Sequence, residues 1–136
     1  MNIDELIENF ELLDDWEDKY RYLIDLGSAL PPLPAEYQTE SWKVSGCQSQ
    51  VWLVPEFVKN GADCRVNFRG DSDAAIVKGL IAVVLTIFNG KTPAEILQTD
   101  MPTLLHRLGL EEHLSPSRRN GLGSMIEKIR FYAQSV

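Results

Sequence analysis

The sequence predicts an α+β fold: a small antiparallel sheet of about three strands, with helices packed on one face. Three observations lead there. Apolar residues recur at helical spacing over the first thirty residues and again from Ala74 onward. Strand-like alternation is confined to the middle of the chain, around an Asn60-Gly61 turn signal. No internal repeat, low-complexity tract or linker divides the sequence, so residues 1–136 are expected to form one domain.

Ile3, Leu6, Ile7, Phe10 and Leu13 fall on one face of a first helix, and Asn2 with Glu5 has a capping-box pattern at its start. Trp16, Tyr20, Leu23, Ile24 and Gly27 give a second helix, with Asp14 and Glu17 as its capping pair. Pro31, Pro32 and Pro34 end that helix and impose an extended connector. Ser41–Val44 reads as a short first strand. Val51–Val58 and Ala62–Arg69 read as a hairpin centred on Asn60-Gly61, pairing Phe57 with Cys64, Leu53 with Phe68 and Glu56 with Arg65. A four-residue loop, Lys59–Ala62, is preferred because it puts Pro55 at a position that needs no ladder bond.

Asp71, Ser72 and Asp73 are N-cap residue types before a helix that is apolar nearly all round, which places it at the centre of the fold. Asn89-Gly90 stops it. Thr92-Pro93 opens a short helix to Gln98, and Asp100 opens another that ends at Gly109. Ser115-Pro116 opens the last helix, with Leu122, Met125, Ile126 and Ile129 on its inner face.

Composition bounds the function. Twenty acidic residues against thirteen basic ones give a net charge of -7, which counts against nucleic acid as the main partner. Eight acids precede the first base, Lys19, and read as a solvated helix face. Ala74–Phe88 is too short for a membrane span and contains Lys78, and the first eighteen residues lack the basic start of a secretory signal. A cytoplasmic protein with reduced thiols is the default expectation.

Two cysteines make neither a disulfide framework nor a cysteine-rich metal site, and with His106 and His113 they lack metal-site spacing. The two thiols differ in setting. Cys64 alternates with Val66 and Phe68 and reads as core. Cys47 lies in a small, polar run, Ser45-Gly46-Cys47-Gln48-Ser49-Gln50, where Gly46 leaves room for a second sulfur-bearing group. Two readings stay open for it: a reactive thiol, or a tolerated surface cysteine half shielded by Trp42 or Trp52. Arg118 and Arg119 stand in the first turn of the last helix, where cations are disfavoured. Pairing with Glu111 or Glu112 explains them, and so does a positive site that lowers the pKa of a nearby thiol. Gly121-Leu122-Gly123-Ser124 is no dinucleotide fingerprint and reads as small residues that permit close helix packing.

Three blocks also carry a family resemblance. Val44–Trp52, Gly70–Leu80 and Leu114–Leu122 resemble, in order, signature stretches of the SufE family of cysteine desulfurase partners. Gln48-Ser49 resembles SufE proper more than its CsdE-type relatives. The resemblance implies a SufE/IscU-like fold and a role as sulfur acceptor and activator for a pyridoxal-phosphate-dependent cysteine desulfurase of the SufS type. Cys47 matches the family's persulfide-carrying cysteine, and Arg118 matches an arginine suited to stabilise or orient the sulfur anion. Gly46, Gln48, Ser49, Asp71 and Asp73 fall in blocks implied to contact the partner. The pyridoxal phosphate belongs to the desulfurase, so no cofactor or metal of this chain's own is implied. Sulfur would pass onward to an iron–sulfur scaffold such as SufBCD, and a homodimer is compatible. The rival readings are a non-catalytic docking module and a thiol redox protein using Cys47, with Cys64 resolving.

Overall fold

In the computed structural model, which describes residues 1–135, six α-helices accompany one β-hairpin. Val136, the last residue of the expected domain, lies outside the described residues. The order is α1 (Ile3–Glu11), α2 (Trp16–Ser28), β1 (Val51–Asn60), β2 (Asp63–Ser72), α3 (Ala75–Phe88), α4 (Pro93–Gln98), α5 (Met101–Leu108) and α6 (Pro116–Gln134).

Local chemistry sets most of these boundaries. Asn2 accepts the Glu5 N–H at 2.9 Å and caps α1. The α2 cap is Asp15, accepting from Asp18, and not Asp14. Thr92 and Glu95 form a reciprocal capping box on α4, while Asp100 and Ser115 cap α5 and α6. None of Asp71, Ser72 and Asp73 caps α3. Strand β2 continues through Ser72, and Ala74 stands at the cap position with no side-chain bond.

The hairpin turns one residue later than expected. Gly61 and Ala62 form a two-residue loop between Asn60 and Asp63, with Gly61 at φ 65°. That is the first central position, where a type II′ turn takes glycine. The register therefore slides by two: Phe57 faces Val66, Leu53 faces Gly70, Lys59 faces Cys64 and Glu56 faces Asn67. A slide of two keeps every residue on its expected side of the sheet. Pro55 faces Phe68, whose own N–H donates to the Asn89 side chain at 2.8 Å on the outer edge. Pro55 therefore needs no ladder bond, as a proline in a strand requires. Arg65, freed from Glu56, ion-pairs with Asp63 at 3.0 Å and donates to the Gly90 carbonyl at 2.8 Å.

The expected third strand is absent. Glu40–Trp42 is a single 3-10 turn, and the segment touches the sheet through one bridge, Lys43 to Trp52. Trp42 folds back onto Tyr37 and closes a second small core with Leu33, Trp52 and Val54. The α-helices thus cover one face of the sheet, and the proline-rich connector covers the other at its Val51 end. The hairpin tip reaches past both layers: Phe57 and Val58 are 40% and 44% exposed. Cys64, at this tip, is half-buried and is not the core residue expected.

Helix α3 is the centre, with both flanks apolar and buried. It crosses α2 at Gly27 and Gly79, so closely that a Cβ on Gly27 would stand 2.6 Å from the Gly79 nitrogen and one on Gly79 would overlap the Leu23 carbonyl. By contrast, a Cβ on Gly123 of α6 meets nothing within 4 Å. The same substitution should therefore have opposite effects in urea unfolding. Gly79→Ala should lose about 2 kcal/mol or more by overpacking, and Gly123→Ala should gain about 0.5–1 kcal/mol by lowering helix entropy cost. Equal effects at the two sites would contradict the close α2–α3 crossing.

Candidate functional site

The segment between Val44 and Val51 is a loop pinned at both ends. Val44 is buried, and its N–H donates to the Val51 carbonyl at 2.8 Å. At the other end Asp73 holds Gln50 twice: its carboxylate accepts the Gln50 N–H at 3.0 Å, and its own N–H donates to the Gln50 carbonyl at 3.3 Å. Asp73 is thus a clamp on the loop rather than a helix cap. Between the pins the chain reverses at Gly46, whose φ of 89° is open to glycine and strained for other residues. The space expected beside Gly46 is taken. Ser124 Oγ of α6 lies 2.6 Å from where a Gly46 Cβ would stand.

Cys47 follows and points inward. It is half-buried against the main core, and its thiol donates to the Gly121 carbonyl of α6 at 3.6 Å. Gly121 has no side chain to interfere: a Cβ there would sit 3.4 Å from Sγ. The thiol lies in a cleft of about 70 Å³ between loop and helices. Gln48 and Ser49 form one wall; Ile76, Val77 and Leu80 of α3 form the second; Ser117, Arg118, Gly121 and Met125 of α6 form the third. A dry cavity that takes benzene measures about 150 Å³, so this cleft suits the side chain itself and no ring-sized ligand.

Burial governs the electrostatics. Desolvation pushes the Cys47 thiol pKa up, because an anion is poorly solvated against apolar walls. Arg118 lines the same cleft but is exposed at its mouth, and in this arrangement it does not offset the burial. The expected pairing of Arg118 or Arg119 with Glu111 or Glu112 does not occur: among the described residues neither arginine forms an ion pair.

The other sequence candidates divide. Gly46, Gln48 and Ser49 share the loop with Cys47. Asp71 is turned to other work: it accepts the Ser72 N–H at 2.8 Å and ion-pairs with Lys78 at 3.5 Å. His113 stacks on Trp16, and His106 is exposed on α5; neither lines the cleft. The shield expected from Trp42 or Trp52 comes instead from α3 and α6. Cys64 sits far along the hairpin. From Val51 to Lys59, its neighbour across the ladder, the strand runs roughly 26 Å at about 3.3 Å per residue. Disulfide formation needs Cα atoms within about 7 Å. Sequence reasoning missed Gly121, Ser124 and the α3 stripe as parts of the site. The small-residue run at 121–124 was a signal of close packing, and its partner is the Cys47 loop.

Comparison with known proteins places the chain in a family. The family described as "SufE: Fe-S metabolism associated domain" matches residues 4–133. An uncharacterized SufE-like protein of Rhizobium meliloti (strain 1021) is 47% identical over 133 residues, covering 98% of this chain and 95% of its own length. One from Rhizobium etli is 48% identical over 129 residues, covering 95% of this chain and 87% of its own. The solution structure of a hypothetical protein from Thermus thermophilus superposes with a TM-score of 0.75 at 22% identity, covering 98% of this chain and 93% of that one. At that identity the likeness bears on the fold alone.

The raised Cys47 pKa has a consequence for stability. The native state holds this proton more tightly than the unfolded chain does, so stability is full below the ordinary thiol range. It then falls as pH rises through that range to the raised native value. Tyr132 is raised by burial too and adds a similar alkaline loss. Urea unfolding of wild type and Cys47→Ser across alkaline pH should separate the two: the wild-type curve should fall more steeply, and parallel curves would contradict a desolvated thiol.

Proposed function

The chain belongs to the SufE family, associated with Fe–S metabolism, and we propose that within it Cys47 is the sulfur acceptor for a cysteine desulfurase. The observation that carries this reading is a single thiol on a two-pin loop, drawn into a small apolar cleft, with a guanidinium at the mouth that forms no ion pair among the described residues. The donor would be a persulfide on a SufS-type enzyme, whose pyridoxal phosphate stays with that enzyme. Cys47 reacts as its thiolate, so it gives up its proton to solvent or to a base of the partner. Its sulfur attacks the outer sulfur of the donor persulfide. One S–S bond forms on Cys47 as the donor S–S bond breaks, and the donor leaves as a thiolate. Sulfur is transferred with no net oxidation. The same step run with a thiol of an iron–sulfur scaffold, such as SufBCD, passes the sulfur on.

Each neighbouring residue has a part in this scheme. The loop is held by few bonds, so docking can draw Cys47 outward. Arg118 stands where an emerging thiolate or persulfide anion arrives, and its permanent charge suits it to hold that anion. Gln48, Ser49 and Gly46 travel with the thiol and meet the partner first. Asp73 is exposed beside the loop and offers a carboxylate to the same surface. Asp71, engaged by Lys78, would serve from behind it.

A second reading also draws on the geometry. The resting thiol is shielded and favours its proton, which suits a docking module that activates the desulfurase without taking sulfur. The redox reading with Cys64 is disfavoured by the length of hairpin between the two thiols.

Incubation with a cysteine desulfurase and cysteine, followed by intact-mass analysis, separates these readings. Wild type should gain one sulfur and Cys47→Ser none, while Cys64→Ser should gain it like wild type. Arg118→Ala should take up sulfur about tenfold more slowly. No gain on wild type, with desulfurase activity still stimulated, would replace the acceptor with the docking module.

A further inference from the structure

Cys47 is shielded at rest, so on the sulfur-acceptor reading it has to be released for transfer, and one turn of α6 supplies the means. We propose that Gly121 and Ser124 form a seat that retains the Cys47 loop while the thiol keeps its proton and releases it as the thiolate. This deepens the acceptor reading and rests on it.

The two residues are three apart, so they lie on one face of the helix, and both face the loop. Ser124 abuts the Gly46 backbone, its Oγ only 2.6 Å from an added Cβ. Gly121 receives the next residue: its missing side chain leaves Sγ room at 3.4 Å from an added Cβ, and its carbonyl accepts the thiol at 3.6 Å. That bond selects the protonation state. A thiol has a proton to donate, whereas a thiolate brings a negative charge against the carbonyl oxygen. The apolar walls from α3 offer it no donor in exchange. Among the described residues, Arg118 of α6 is the only charged or titratable side chain besides Cys47 that lines the cleft; α3 and the loop contribute none. Because Arg118 is exposed at the mouth, it draws an anion away from the seat and toward solvent. The upward push of burial on the Cys47 pKa agrees with this geometry. Proton loss and loop release thus become one event. A partner that takes the proton also receives the nucleophile.

The test uses the full chain with Cys64→Ser, so that one thiol reports, and follows iodoacetamide alkylation from neutral to alkaline pH. Gly121→Ala adds a methyl in ordinary contact with Sγ and should react no faster than the parent. Gly121→Val needs the space that Sγ occupies and should evict the loop. Its ionisation should move toward the ordinary thiol range. Each unit of pKa released multiplies the thiolate fraction about tenfold and lowers its nucleophilicity about threefold, for a net gain of about threefold at neutral pH. Gly123→Ala, on the open side of the same helix, should leave the profile unchanged. A purely structural role would shift thermal stability and leave the pH profile in place. Gly46→Ala, which drives a Cβ into Ser124 from the loop side, should repeat the valine result if the α6 variant does not fold. Profiles of the displaced variants that superpose on the parent would overturn the seat, as would an equal shift in Gly123→Ala. These rates need no desulfurase. A seat that fails therefore leaves sulfur uptake by wild type to be judged separately by mass, and an acceptor reading that fails leaves the rates standing.

Discussion

Helix α3 is apolar on nearly every side, and it must be covered on every side. A helix of this kind cannot rest on a surface. Its buried residues run from Ile76 to Phe88 without a consistently polar face. Helix α2 covers one flank through the Gly27–Gly79 crossing, where backbone meets backbone and no side chain intervenes. The hairpin covers another: Gly70 of β2 lets Ile81 and Leu53 close over it from both sides. Helix α6 comes from a third. What remains is the start of α3, where Ile76, Val77 and Leu80 line the cleft. The loop carrying Cys47 lies over that stripe with α6. The candidate site is therefore the last closure of the core, made from a segment short and polar enough to leave.

This origin explains the opposing properties of Cys47. Closing a core favours burial and protonation, and both lower reactivity. Sulfur chemistry requires a thiolate in contact with a partner. A rigid protein would have to choose. Here Ser45, Gln48 and Gln50 of the loop stay exposed while the thiol enters the core, so the two demands are separated in position. The thiol sits at Gly121, and the charge that the proposed scheme assigns to its anion lies outside at Arg118. The two sites lie one turn of α6 apart.

The elements and the chemistry were legible to different degrees. Helix ends with a capping side chain could be read to within a residue, because the signal is local: Asn2, Thr92, Asp100 and Ser115 all cap as their sequence suggests. The α3 start misled, since Asp71, Ser72 and Asp73 are good cap types that tertiary structure drew into the strand and the loop. The hairpin faces were right and its register wrong by two. Alternation fixes facing, but only the turn fixes register, and Asn60-Gly61 allowed a loop on either side. The expected third strand gives way to a 3-10 turn that sets Trp42 against Tyr37, a contact between non-neighbouring residues that no local alternation signals. At the site, Cys47 stood out by contrast with its polar neighbours. Gly121 and Ser124 were visible only as small residues suited to close helix packing, because their partner lies seventy-odd residues away and no local pattern connects them.

The shield over Cys47 is light, and its lightness is consistent with use. A thiol-to-carbonyl bond is a weak one, of order 0.5–1 kcal/mol. Burying part of one small side chain adds about 1 kcal/mol more. Opening the loop against about 2 kcal/mol leaves the exposed form a minor state, on the order of a few per cent of the population. Such a population slows adventitious oxidation or alkylation in proportion, yet it lets a partner capture the loop by modest differential binding. Gly121 tunes this balance from the helix side. A larger residue there would lower the cost of exposure and spoil the shield, and a missing carbonyl acceptor would do the same. The helix backbone supplies that acceptor at every position, so the one property that sequence must specify is a side chain no larger than a methyl.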